Sequence, residues 1–399
     1  MEVHRHLVEH IMIALKDIFE EGRYADKVIE KRMKTNRKWG SRDRKFFAEQ
    51  VYGMVRWWRR DWYLLGENPS FQAGSLIQLW GIHQLMQKNK LPEWSELRGV
   101  ELHLEKLAQL KNLRAIRESI PDWMDCEGET QMGRRWDSVL KSLNEAAPVD
   151  LRVNTLKSSV QEVKTLLEAE LVMADLISEV PSGLTLRERK NVFATQAFKK
   201  GFFEVQDRAS QLVAPFVKLE PGMRVVDACA GAGGKSLHMA AMLKNKGKIL
   251  SLDIHEWKLK ELKKRAARGG VDVIETREIE SSKVIKRLEK SADRVLLDVP
   301  CSGLGVLRRN PDTKWKLEKE KLDAIGDQQR QILAEYSNMV KVGGKLVYST
   351  CSFLPSENEA QVSWFLENST GWELEEQLRV DPDQDKGDGF FAARLVRRS

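Results

Sequence analysis

Two cysteines frame the chemistry this chain could do. Cys301 lies in Asp298-Val299-Pro300-Cys301-Ser302-Gly303, and Cys351 lies in Tyr348-Ser349-Thr350-Cys351-Ser352. Each follows a short apolar run, Leu296-Leu297 in one case and Leu346-Val347 in the other, which reads as the end of a buried strand. A lone cysteine is more often a small buried hydrophobe than a nucleophile. Two at the same relative place are a different matter. Neighbouring strands lie about 4.8 Å apart, so thiols at adjacent strand ends would share one pocket with Asp298. A thiolate is a potent nucleophile once its pKa falls below the usual value of about 8.5. Such a nucleophile can add to carbon 6 of a pyrimidine, which makes carbon 5 electron-rich enough to attack an electrophilic methyl group. An acid near ring nitrogen 3 would stabilise the developing charge, and Asp298 is placed to supply it. A base must then remove the carbon-5 proton so that the enzyme can be eliminated.

A second constellation precedes the first. The run Asp227-Ala228-Cys229-Ala230-Gly231-Ala232-Gly233-Gly234-Lys235 joins an apolar strand to a helix. Small residues let backbone approach a ligand closely, and the helix beginning near Ser236 offers free N–H groups. The spacing is not that of a Walker A loop, because only two residues separate Gly231 from Gly234-Lys235-Ser236. It fits nucleotide-like cofactors in general. Asp253 closes the following strand, 22 residues beyond Gly231. An acid at that place typically binds a ribose hydroxyl pair, although it would also serve as a helix N-cap.

These residues need a scaffold that brings strand ends together. After residue 220 the sequence alternates short apolar runs with amphipathic charged stretches. Strands are expected at 224–227, 248–253, 294–298 and 345–349, with helices at 236–243, 256–268 and 319–340. That alternation predicts a parallel, doubly wound α/β sheet, with its ligands at the carboxyl ends of the strands. Residues 1–120 read instead as helical. Leu7, Ile11, Ala14, Leu15 and Ile18 recur at helical spacing, as do Phe46, Phe47, Val51, Met54, Val55 and Trp58. Pro121, Gly128, Gly133 and Pro148 mark 121–150 as loop and boundary, with the break near 140.

Composition bounds the rest. The chain has 399 residues, 42% hydrophobic and 31% charged, which suits a soluble protein of two or three domains. No window reaches 18 consecutive apolar residues, so no membrane partner is expected. Four cysteines in this length exclude a disulfide scaffold and fit no zinc site, making a reducing cytoplasmic setting the default. No metal is expected. Cys126 reads as inert and Cys229 as packing. Net charge is 66 − 59 = +7, but residues 31–60 alone hold eleven Lys/Arg against two Asp/Glu. A localised basic surplus points to a polyanion such as nucleic acid. Trp57, Trp58 and Trp62 lie in or beside that stretch and could stack on bases, yet their helical spacing favours a core role.

The chain resembles the Sun/Fmu (RsmB-type) RNA cytosine-carbon-5 methyltransferases. The resemblance rests on Arg152-Val153-Asn154, Val205-Gln206-Asp207-Arg208-Ala209-Ser210, the Asp227–Lys235 loop, the two cysteine segments, and the run from Gly387 to Leu395. It covers residues 145–399. Asp43–Gly53 further resembles the NusB-like helical domain of the rRNA-methylating branch. The implied architecture is a NusB-like domain at 1–140, a small α/β extension at 145–204 and a Rossmann-like catalytic domain at 205–399. The resemblance implies Cys351 as nucleophile and Cys301 as the residue that promotes release by taking the carbon-5 proton, directly or through water. Asp298 and Lys235 would face the target base. Cys229, Ala230, Gly231, Ala232, Gly233, Gly234, Lys235, Asp253, Glu278 and Asp298 would hold S-adenosylmethionine. RNA is the implied partner, rRNA ahead of tRNA, with a monomer as default and no DNA expected.

Three departures from the family pattern stand out. Gly231-Ala232 replaces a usual Ala-Pro, Val299 replaces a usual alanine, and Glu278 substitutes for the aspartate normally found after the third strand. Other readings remain open on the residues alone: tRNA methylation by the same chemistry, or a non-catalytic RNA-binding assembly factor with an altered cofactor loop. A DNA cytosine methyltransferase would use the Pro-Cys thiol and a Glu-Asn-Val acid, for which Glu357-Asn358-Glu359 is a poor match.

Overall fold

The computed structural model describes residues 3–399 and divides into two compact units. One comprises Met1–Glu145 together with Leu307–Lys319; the other comprises Ala146–Val306 together with Glu320–Ser399.

The first unit is helical. Its longer helices are Arg5–Phe19, Ala25–Thr35, Ser41–Arg56 and Ala73–Met86. Leu7, Ile11, Ala14, Leu15 and Ile18 are all buried, so the helical spacing read from the sequence is the core face of the first helix. Phe47, Val51, Met54, Val55, Trp58, Trp62 and Trp80 join the same core. Trp58 and Trp62 are therefore packing residues and not a base-stacking platform. The stretch 121–150 differs from expectation, since helices Asp122–Met132 and Trp136–Leu143 occupy most of it. Pro121 is the N-cap of the first, where a missing N–H costs nothing. Gly128 is in that helix because the Trp136 ring lies on it: a Cβ there would sit 2.2 Å from the indole. A glycine that admits a tryptophan looks like a loop glycine in sequence.

Leu307–Lys319 interrupts the contiguous 205–399 division expected from the sequence, because it packs with the helical unit. It meets the polar ends of that unit's helices. Asp312 accepts the first N–H of Ala25–Thr35 (3.0 Å), a carboxylate at a helix N-terminus. Trp315 Nε1 donates to Val55 O (2.7 Å). Lys314 is fully buried, and its amine donates to Asn144 Oδ1 (2.6 Å), Glu118 O (3.2 Å) and Arg56 O (3.4 Å). It satisfies carbonyls left over at two helix C-termini.

The second unit holds two sheets. The smaller is antiparallel, ordered β2-β3-β1-β4, from β1 (Asp150–Val153), β2 (Ala174–Leu176), β3 (Gly183–Leu186) and β4 (Phe203–Val205). The larger contains β5 (Arg224–Asp227), β6 (Lys248–Asp253), β7 (Ile274–Glu278), β8 (Ala292–Asp298), β9 (Val340–Thr350), β10 (Trp372–Val380) and β11 (Phe390–Arg397). Its order is β10-β11-β9-β8-β5-β6-β7; β5 to β9 run parallel, and β10 and β11 add an antiparallel edge. The central strands are continuous apolar runs, with Val295, Leu296 and Leu297 all fully buried, as expected where both faces are covered. This is a Rossmann-like sheet, and its strand order reverses beside β5, the place where such sheets bind ligands. Among the described residues no helix is long and apolar enough to cross a membrane.

Candidate active site

β8 and β9 are adjacent and parallel, with Asp298 in register with Ser349. Their following turns therefore emerge side by side, and Cys301 Sγ lies 3.2 Å from Cys351 Sγ. Both are free thiols of intermediate exposure. The Cys301 thiol is pushed well above its usual value, first by its hydrogen bond to Cys351, then by burial, by charge on Cys351 and by Glu357. Cys301 therefore holds its proton more tightly than an ordinary cysteine. On the same strand ends, Lys235 Nζ donates to Asp298 Oδ2 (2.6 Å) and Ser349 Oγ donates to Asp298 Oδ1 (3.1 Å). Burial alone would lower the lysine. The Asp298 charge and hydrogen bond outweigh it, so the ammonium is held above its usual value. The four residues expected to do chemistry, Cys351, Cys301, Asp298 and Lys235, are therefore gathered at the carboxyl ends of β8 and β9 and the start of the helix Gly234–Met242.

The glycine loop and Asp253 meet as well. Gly231 N–H donates to Asp253 Oδ2 (2.9 Å) and His255 N–H donates to Oδ1 (2.8 Å). Gly233 has φ +83° and rests on Leu262, which a Cβ would approach to 2.3 Å, so no other residue fits there without strain. The loop is buttressed from two sides. Arg152 Nη1 donates to Gly234 O (2.8 Å), and Arg265 Nη1 donates to Ala232 O (2.7 Å). Asp227, at the end of β5, accepts from Ser236 Oγ (2.6 Å). Burial, reinforced by Asp298, pushes its carboxyl up to about 7. The Cys229 thiol is pushed well up by burial and then by the Asp227, Asp298 and Asp253 carboxylates, so it remains a thiol.

A cavity of about 420 Å³ opens at these strand ends, lined among others by Ala228, Cys229, Asp253, Ile254, Ile279 and Pro300. One wall is the helix Lys319–Tyr336, through Gln328, Gln331, Ile332, Glu335 and Tyr336. Its size suits a small-molecule site. S-adenosylmethionine fits the residues present. Asp253 has lone pairs beyond its two backbone bonds for a ribose hydroxyl pair, and Ile254, Ile279 and Ile332 offer apolar faces for a purine. Glu278 ends β7 in register with Asp253, but Ile279 is the residue from that strand end that lines the cavity. Among the described residues no cluster of His, Cys, Asp and Glu could hold a metal ion.

Sequence reasoning missed the group beneath the cysteines. Glu357 is buried, and its Oε1 accepts from Ser302 N–H (2.8 Å) and Gln329 Nε2 (3.1 Å). Its Oε2 accepts from both Ser302 Oγ and Ser352 Oγ. A serine after each cysteine was the available signal, since two identical dipeptides at two strand ends imply a shared partner. Glu357 is committed to those serines, which removes it from the acid role that the DNA-methyltransferase alternative required.

Residues 214–396 match the sequence profile described as 16S rRNA methyltransferase RsmB/F, and residues 120–193 match that of the RsmF/B-like ferredoxin-like domain. The chain is 30% identical over 438 aligned positions to the probable ribosomal RNA small subunit methyltransferase B of Synechocystis sp., spanning 96% of this chain and 98% of that one. The probable enzyme of the same name from Bacillus subtilis is 33% identical over 303 positions, spanning 71% and 68%. The solved structure of PH0851 superposes over 100% of both chains with a TM-score of 0.81 at 24% identity, a likeness of fold. A methyltransferase homolog protein from Pyrococcus horikoshii covers 73% of this chain and 99% of its own, with a TM-score of 0.64 at 26% identity. With a relative this similar along nearly its whole length, the chain belongs to the RsmB/F family of 16S rRNA methyltransferases, the Sun/Fmu group.

Proposed function

We propose that the protein methylates carbon 5 of a cytosine in ribosomal RNA through a covalent bond between Cys351 and carbon 6. The observation that carries this reading is the 3.2 Å contact of two strand-end thiols beside the Lys235–Asp298 pair. Cys351 adds to carbon 6, and the negative charge that spreads onto the ring is met by the Lys235 ammonium, whose proton Asp298 can relay to nitrogen 3. S-adenosylmethionine, when bound, supplies the electrophilic methyl group. Cys301 is placed to carry the carbon-5 proton away, its thiol passing its own proton to water as the carbon-5 proton arrives, directly or through a second water. Loss of that proton re-forms the carbon 5–carbon 6 double bond and expels the Cys351 thiolate.

Asp253 and the loop 229–235 are proposed to hold the cofactor, with Asp298 beside it and Glu278 nearby at the β7 end. The helical unit, which we read as NusB-like, is proposed to hold the RNA. The support there is charge: Arg37, Lys38 and Arg42 are exposed, and none has an ion-pair partner among the described residues.

The test uses Cys301→Ala, Cys351→Ala and the double variant, each mixed with S-adenosylmethionine and total cellular RNA, then run on a denaturing protein gel. An RNA-linked band with Cys301→Ala alone is the expected result, and sequencing the trapped RNA names the target, rRNA or tRNA. A band with Cys351→Ala alone would reverse the two roles. If no variant gives a band and the wild type transfers no methyl group, the protein is a binding factor and the proposal fails.

A further inference from the structure

Glu357 joins three elements that the cysteine chemistry needs held together. The carboxylate receives the Ser302 N–H and hydroxyl from the turn after β8, and the Ser352 hydroxyl from the turn after β9. Gln329 reaches it from the helix Lys319–Tyr336, and the same amide donates to Pro300 O (2.9 Å), the carbonyl immediately before Cys301. Four donors fill the roughly four acceptor sites of an ionised carboxylate. The backbone carrying Glu357 is itself pinned. Tyr348 OH donates to Glu357 O (2.7 Å), Thr350 Oγ1 donates to Asn358 Oδ1 (2.5 Å), and Asn358 Nδ2 donates to Ser352 O (3.0 Å). The two turns also touch directly, through Gly305 N–H to Cys351 O (3.0 Å) and Ser302 Oγ to Ser352 Oγ (3.3 Å), but Glu357 is the group that joins both of them to the helix Lys319–Tyr336. Each cysteine side chain is short, and each sits one residue before a serine whose hydroxyl is spent on Glu357.

The placement is also one-sided. Glu357 takes two bonds from Ser302 but one from Ser352, so its charge bears more closely on the Cys301 turn. The groups that act on the Cys301 thiol are Tyr348 from β9, Cys351 and Glu357 after it, and the Gly303 backbone N–H, which alone favours the thiolate. Lys235, paired with Asp298, acts on Cys351 instead.

We infer that Glu357 is a positioning residue for the methyl-transfer site: it helps hold the turns after β8 and β9 so that the two thiols stay at contact distance, and its negative charge bears on the Cys301 side of the pair. This rests on the proposed roles of the two cysteines and adds the device that makes them unequal. A purely structural glutamate would matter for folding but would not set the protonation of one thiol.

The experiment therefore separates charge from position, in full-length protein. In a Cys351→Ser background, the rate of Cys301 alkylation by iodoacetamide is followed against pH by peptide mass mapping, with and without Glu357→Gln. The expected result is an inflection that moves down by about one pH unit when the carboxylate is neutralised. An unchanged inflection in folded protein overturns the inference. Glu357→Asp, with both cysteines intact, keeps the charge and withdraws the carboxylate by one methylene. It is expected to lose about 100-fold in methyl transfer, and wild-type turnover there would also overturn the inference. Should Glu357→Gln not fold, the aspartate variant decides the question alone. The alkylation readout needs no RNA, so it stands whether or not the cysteine adduct on RNA is found.

Discussion

Charge is handled in opposite ways at the carboxyl end of the large sheet and along the basic stretch of the helical unit. At the sheet, charged groups are buried or half-buried and each has a named partner: Lys235 with Asp298, Glu357 with two serines and a glutamine, Asp253 with two backbone amides. Along the helical unit, Arg37, Lys38 and Arg42 stand in solvent. The first arrangement is one in which each group acts on one atom, at low dielectric, so single substitutions should be severe and pH-sensitive. The second acts as a diffuse field, so single substitutions should be mild, additive and salt-sensitive.

The largest effect is expected from Lys235→Met. Removing the cation bonded to Asp298 takes away charge stabilisation in the addition step and leaves a carboxylate facing the ring. Single-turnover methyl transfer should fall by about 10³-fold, as when one oxyanion donor is lost, and calorimetric affinity for S-adenosylmethionine should fall far less. A loss shared equally between rate and affinity would move Lys235 from the base to the cofactor.

Asp227 gives the pH test. Its carboxyl is raised from 3.8 to about 7 in the folded protein, by burial first. The protonated form is the one the fold favours. Its contribution is therefore complete below about pH 4, where the unfolded chain is also protonated, and is lost as pH rises toward 7. Asp227→Asn carries no such charge. Urea unfolding at pH 5 and pH 8 should show the wild type losing stability over that interval, by at most about 3 kcal/mol, and the variant losing less. Equal pH dependence would mean that Asp227 titrates as an ordinary surface acid.

The helical unit also buries an amine, Lys314, and it follows the rule of the sheet. Lys314→Met leaves Asn144 Oδ1 and the carbonyls of Glu118 and Arg56 short of a donor. Unpaired buried acceptors cost about 1–3 kcal/mol each where no water replaces the donor. A net loss of about 3 kcal/mol is expected, read as faster hydrogen exchange in Ser41–Arg56 with the β5–β9 amides unaffected. Uniform change in both units would contradict their separate cooperativity.

What was legible in the sequence follows the same divide. Period and strand-end position are local, so β5 and β6 appear at their expected residues, and β8 and β9 extend two and five residues further at their starts. The paired cysteines, Asp298 and Lys235 were legible because strand adjacency alone brings them together. Features that depend on distant partners were not. Gly128 is helical on account of Trp136, Leu307–Lys319 leaves its neighbours in sequence to complete helix ends elsewhere, and Glu357 acquires meaning only when two serines fifty residues apart meet on it. Glu278 errs in the other direction, since its strand end was right but the cavity wall is the next residue.

The smallest expected effects belong to the exposed cations, and they test whether the basic stretch works as a field. Arg37→Ala, Lys38→Ala and Arg42→Ala should each weaken RNA binding roughly threefold at moderate salt. Each phosphate contact removed should lower the slope of log affinity against log salt by about 1. The three changes together should multiply, because no shared partner couples them. Methyl transfer at saturating RNA should stay close to wild type, since none of these residues belongs to the unit that carries the cysteines. If one of the three instead cost a hundredfold with no change in salt slope, it would be making a fixed, desolvated contact, and the contrast between the two regions would fail at that residue.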